Sequence, residues 1–160
     1  MAGLYRDRGI VLRSVKLGEA DRIVTFLTEG RGKVRAVAKG VRRPKSRFGA
    51  RLEPTSHLQL QLYEGRNLDV VTQVETIDSN RQLRETYGAF TQAIAMLEAV
   101  DHVAQEQEAN IGLYRMLAAA LRTLAEAESL ALRALEHHLE RRLRSTPMLL
   151  ASIPGYAPRS

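Results

Sequence analysis

The chain has 160 residues, 44% of them hydrophobic, with 24 lysines and arginines against 18 aspartates and glutamates and a formal charge of +6. That length can bury one sizeable core or two small ones, and the absence of cysteine excludes disulfides, thiolate metal sites and thiol catalysis. Charges among the first eight residues, and no run of eighteen apolar residues anywhere, exclude a signal peptide and a membrane helix and predict a soluble, cytoplasmic protein that avoids membranes.

Up to residue 80, apolar residues alternate or come in short β-branched runs separated by turn residues, which predicts five strands. The first covers residues 8–17 (RGIVLRSVKL) and the second 22–28 (RIVTFLT); GRG at 30–32 is a hairpin turn into the third, KVRAVAK. In the third strand, alternation sends Val34, Ala36 and Ala38 inward and leaves Lys33, Arg35 and Lys39 on the opposite face. The fourth strand, TSHLQLQLY, sets Leu58, Leu60 and Leu62 on one face and His57, Gln59, Gln61 and Tyr63 on the other. A turn at Glu64, Gly65 and Arg66 leads to the fifth, LDVVTQVETI. Five short antiparallel strands suit a small closed barrel, for which the OB-fold is the commonest form; periodicity leaves an SH3-like barrel equally open.

After residue 80 the period changes. Leu83, Tyr87, Phe90, Ile94, Leu97 and Val100 form the stripe of one amphipathic helix. Asn110 is a candidate N-cap for a second, with Leu113, Leu117, Leu121 and Leu124 on its buried side. Ser129 starts a third, lined by Leu132, Leu135, Leu139 and Leu143 until Pro147 stops it, and the tail from Pro154 to Ser160 is loose. The expected architecture is α+β: an N-terminal five-stranded OB-type β-barrel domain over residues 1–79, followed by an α-helical domain over 80–160.

The charge is uneven. Residues 1–80 hold 15 basic and 9 acidic side chains, whereas 81–160 hold 9 of each. Residues 31–51, RGKVRAVAKGVRRPKSRFGAR, contain nine cations and no carboxylate. The strand face and the segment after it, which Pro44 and its glycines predict to be an extended, mobile loop, would present one positive surface. A solvated loop and a polyanion-binding surface both fit such a run, and its place on a barrel of the oligonucleotide-binding kind favours the second. Phe48 is the one aromatic residue inside the basic loop and the candidate for base stacking. With so few exposed rings, binding should be mainly electrostatic and weakly selective for sequence.

Other signals carry little. His137 and His138 are adjacent and so point to different sides of a helix, which disfavours a metal site with Glu136 and Glu140. GRGK at 30–33 lacks the spacing and following helix of a phosphate-binding loop. No nucleophile, base and acid set appears, so no catalytic residue, cofactor or enzymatic activity is expected.

The run GIVLRSVKLGEADRIVTFLTEGRGKVRAVAKGVRRPKSRFGARLEP, residues 9–54, resembles the amino-terminal barrel of the RecO family of bacterial recombination and repair proteins. The GEADRIVTFLTEGRGKVRAVAKG core, the R-R-x-K-S-R loop, the L-E-P entering the fourth strand and the closing GYAP at 155–158 carry the likeness. The resemblance implies an OB-fold followed by helices and no enzymatic turnover. It implies binding of single- and double-stranded DNA, strand annealing, and partnership with RecR in loading RecA onto strands coated by single-strand-binding protein, at the nucleoid. It assigns DNA contact to Lys33, Arg35, Lys39, Arg42, Arg43, Lys45 and Arg47, flanked by Arg31 and Arg51. It also implies capture of the acidic carboxy-terminal tail of single-strand-binding protein by the helical half, where Arg115, Arg122, Arg133, Arg141 and Arg142 are the candidates. Many family members continue into a zinc-binding cysteine cluster, and with no cysteine here that property is not carried over.

Overall fold

Alternation, interrupted where strands are buried on both sides, builds the barrel. The computed structural model describes residues 3–151 and residue 154, with side chains through residue 145; apart from Pro154, the tail and its GYAP segment lie outside the described residues. The strands are β1 (Leu4–Leu17), β2 (Asp21–Thr28), β3 (Gly32–Ala38), β4 (His57–Tyr63) and β5 (Asp69–Asp78). They close in the order β1-β2-β3-β5-β4. One pairing, β3 with β5, is parallel, at Ala36 with Asp69 and Val37 with Val70. Together with the β1–β4 closure, this order is that of an OB-fold, which resolves the choice between barrels.

β1 is long because it pairs twice, with β4 over Leu4–Ile10 and with β2 over Gly9–Leu17. A register shift between Val11 and Arg13 bends it from one partner to the other, the usual device for closing a small barrel. The barrel interior holds Val11, Val24, Phe26, Val34, Ala36, Ala38, Leu58, Leu60, Leu62 and Val71. A second core begins on the barrel's outer surface, where Ile10, Leu12 and Leu27 pack with Leu83, Ala93, Leu97, Leu117 and Leu121. β1 and β2 are thus covered on both faces, which is why GIVL and VTFLT read as continuous runs rather than alternating ones.

The helices are α1 (Gln82–Glu85), α2 (Tyr87–Val103) and α3 (Ile111–Ala151). The stripe expected to make one helix is split at Thr86, which is extended (φ −118°, ψ 125°). The break resets the helical phase, so α2 buries Ala89, Ala93, Leu97 and Val100 while Tyr87 is 87% exposed and Phe90 stays at the surface. Asn110 caps α3 as expected, its Oδ1 accepting from the Leu113 N–H at 3.0 Å. The third helix does not start at Ser129. α3 runs through that position and past residue 147, because Ala, Leu, Glu and Arg dominate residues 117–144 and no glycine or proline interrupts them. Leu132, Leu135, Leu139 and Leu143 do share a side, but each is about half exposed or more.

The chain divides into two compact units, Met1–Ala125 and Glu126–Ser160. The first contains the barrel, α1, α2 and the opening turns of α3.

Candidate nucleic-acid interface

β3 delivers its cations as alternation predicts: Val34, Ala36 and Ala38 are buried while Lys33 and Arg35 face outward. What they meet there was not legible in the local sequence. Lys33 Nζ lies 3.1 Å from Asp101 Oδ1 and donates to the Asp101 carbonyl at 2.8 Å, and Arg13 reaches the same carboxylate at 2.9 Å. Arg35 approaches Glu106 at 3.8 Å. The segment carrying Glu106 is held on β3 by backbone bonds from Lys33 N–H to the Gln105 carbonyl and from Gln107 N–H to the Lys33 carbonyl. Gly32 permits this approach: it sits at φ 67°, and a Cβ there would lie 2.0 Å from the Glu108 carbonyl oxygen. Arg31 lies over the Tyr5 ring at 3.6 Å and 3.9 Å from Glu64. Burial, and then its hydrogen bond to Asp69, pushes the Tyr5 hydroxyl pKa well above its ordinary value, so the ring beneath Arg31 is neutral.

The cations after β3 are placed differently. Residues 39–51 fold into successive turns rather than an extended loop, with Arg43 N–H bonded to the Gly40 carbonyl, Ser46 N–H to Arg43 and Arg51 N–H to Phe48. The β1–β2 turn anchors them: Gly40 N–H donates to Asp21 Oδ1 at 2.7 Å, Arg42 N–H to the Ala20 carbonyl, and the Arg42 guanidinium to the Gly18 carbonyl. On this fixed backbone Lys39, Arg42, Arg43, Lys45, Arg47 and Arg51 are all exposed. Among the described residues no carboxylate forms an ion pair with any of the six. The nine cations therefore fall into two sets, three compensated by acids and six not.

Phe48 does not offer a stacking surface. It is 2% exposed and belongs to the barrel core with Leu52, drawn in by the 3-10 turn Gly49–Leu52; the Arg47 guanidinium covers its ring, at 5.4 Å. An aromatic residue in a polar loop is more often an anchor for that loop than a free ring, because burying it supplies the loop's main apolar packing.

The arginines proposed for a partner tail fall in both units. Arg115 and Arg122 are exposed on the first part of α3, and Arg122 lies 3.6 Å from Asp78. Arg133, Arg141 and Arg142 belong to the second unit, where Arg141, Arg142, Arg144 and His138 line a shallow cavity of about 470 Å³. The local sequence missed Arg6 and Arg13, which β1 brings beside the basic surface. Simple alternation does not link them, because Arg6 and Arg13 lie seven residues apart with the register shift of β1 between them.

A family profile described as Recombination protein O N terminal matches residues 1–80. The chain is also 49% identical over 157 residues to a protein named DNA repair protein RecO from Nocardioides sp. (strain ATCC BAA-499 / JS614), an alignment covering 97% of this chain and 61% of that relative. The chain thus spans about three-fifths of the length of the curated relative it matches. Since the profile covers the whole barrel and the identity continues through the helices, the chain belongs to the RecO family.

Proposed function

We propose that this chain is a DNA-binding recombination mediator of DNA repair, which holds single- and double-stranded DNA against the turns of residues 39–51. The observation that carries the reading is the platform of six acid-free cations pinned to an OB-type barrel. Like charges this close raise the energy of the folded chain, and phosphates relieve it while releasing their condensed counterions. Neutralising phosphates on two strands also lowers the repulsion between them, which supplies a physical route to annealing without chemical turnover. In this reading the barrel (1–79) holds DNA and the helical part (80–160) meets partners. These are RecR, the acidic tail of single-strand-binding protein at the arginines of α3, and RecA indirectly, at the nucleoid in the cytoplasm. Family membership supports these partners. No helix among the described residues is long and apolar enough to cross a membrane.

A second reading is that the basic surface docks an acidic protein. It is favoured by the carboxylates of Asp101 and Glu106, which already occupy part of that surface. The two separate in the variant Lys39→Glu, Arg43→Glu, Lys45→Glu, which spares Arg42 because its guanidinium bonds Gly18. DNA affinity should fall by at least tenfold, with single-strand salt dependence flattened by about 0.7 in log–log slope for each phosphate no longer neutralised, while an acidic tail peptide still binds. Loss of peptide binding with DNA affinity intact would reject the mediator reading.

A further inference from the structure

Around the barrel from β3, the outer faces of β1, β4 and β5 form a groove of about 460 Å³. Its floor is built by register: Arg6 on β1 pairs with Gln61 on β4, Gln61 with Gln73 on β5, and Gln59 with Glu75. Arg47 and Arg51, from the turns after β3, form its rim, so the groove opens directly onto the cationic platform. Among the described residues none of the three glutamine side chains takes part in a hydrogen bond, and Arg6 has no carboxylate partner.

The chemistry of floor and rim differs. Each glutamine amide carries both donors and an acceptor, which matches the mixed edge of an unpaired base. A phosphate accepts only, and the Glu75 carboxylate on the floor repels it. The rim is guanidinium, suited to phosphate by bidentate bonding and to a base by stacking of its plane. We propose that this groove is a single-strand subsite, in which one or two unpaired nucleotides point their base edges at Gln59, Gln61 and Gln73 while Arg6, Arg47 and Arg51 hold their phosphates. The subsite rests on the DNA-binding reading above and adds to it a preference that charge alone cannot supply. In a duplex the Watson–Crick edges are already engaged with each other and cannot enter a recess, so double-stranded DNA uses the platform only.

The test is the triple variant Gln59→Ala, Gln61→Ala, Gln73→Ala, with short single-stranded and duplex DNA of the same sequence measured by fluorescence anisotropy across a salt series. No charge is removed, so the duplex affinity and both salt slopes should match the wild type, while single-strand affinity falls by about tenfold. Gln73→Glu, which keeps the side chain's size and sets a second carboxylate beside Glu75, should weaken single strands more than duplex at every salt concentration, the duplex loss being the part that added salt removes. Wild-type protein that binds neither DNA would overturn the DNA-binding reading itself. DNA binding with single-strand affinity unchanged in the triple variant, or lost equally for duplex, overturns the subsite only. So would capture of an acidic peptide that depends on the three glutamines.

Discussion

His57 shows how a residue's neighbours override its position in a pattern. Alternation groups it with Gln59 and Gln61 on the outer face, yet it is 8% exposed and hydrogen-bonded to the Tyr114 hydroxyl of α3. Burial lowers its pKa, opposed by Asp78 and assisted by Arg122, and burial pushes Tyr114 up to about 12, so both rings are neutral in the folded chain. The unfolded imidazole titrates at its ordinary 6.5, so below that pH the unfolded state binds a proton that the folded state refuses. Stability should therefore be level for this group above about pH 6.5 and decline as the pH drops toward the lowered folded value. Urea titrations from pH 8 to 5 check this: His57→Gln should be less stable throughout but show a shallower acid decline. An equal slope in wild type and variant would contradict it. The candidate site was legible residue by residue wherever two-residue alternation decides direction, as for Lys33 and Arg35 against Val34 and Ala36. It was not legible for Phe48, whose burial depends on a 3-10 turn that no local period announces.

At the scale of elements, the telling arrangement is the acidic end of α2 and its following segment against the start of β3. Asp101 faces Lys33 and Arg13 at once, in a site where the Lys33 and Asp101 side chains are less than one-fifth exposed. Removing that carboxylate leaves two cations without their partner, one of them mostly buried. Asp101→Asn should therefore cost about 1–3 kcal/mol of stability, between the values for exposed and buried pairs. The same change adds one positive charge to the surface and should tighten DNA binding a few-fold at low salt, an advantage that fades as salt screens it. Denaturant unfolding and anisotropy measured on one preparation check both halves, and weakened DNA binding would show that Asp101 does not compete with phosphate. The boundaries of β2 to β5 followed the sequence to within two residues because alternation and turn residues are local, whereas β1 begins at Leu4 rather than residue 8, its extra residues pairing with β4. Helix boundaries did not: Thr86 divides what looked continuous, and α3 continues where a cap and a stop were expected.

For the whole molecule, the governing quantity is a charge that sits almost entirely in the amino-terminal half. Without DNA, added salt screens the repulsion among the six acid-free cations, so the unfolding midpoint should rise between roughly 20 and 200 mM NaCl. With a saturating single-stranded oligonucleotide the protein should melt higher at low salt, since a ligand that binds only the folded state stabilises it. That increment should shrink as salt rises, because binding weakens with the logarithm of salt concentration. Thermal melts on the same salt series test it, and an increment independent of salt would mean that phosphate neutralisation is not what holds the DNA.

The amino-acid sequence by itself determined the presence of five strands, most of their inward and outward positions, the basic run and the family, because each depends on interactions within a few residues or on direct likeness. Only the tertiary structure decided which cations of the basic run meet a carboxylate and which, among the described residues, do not. Asp101 and Glu106 are distant in sequence from the lysine and arginine they meet, and their pairing follows from how α2 packs on the barrel rather than from any local pattern. The groove of glutamines arises in the same way, since its floor takes one row from each of three strands and exists only once the barrel has closed.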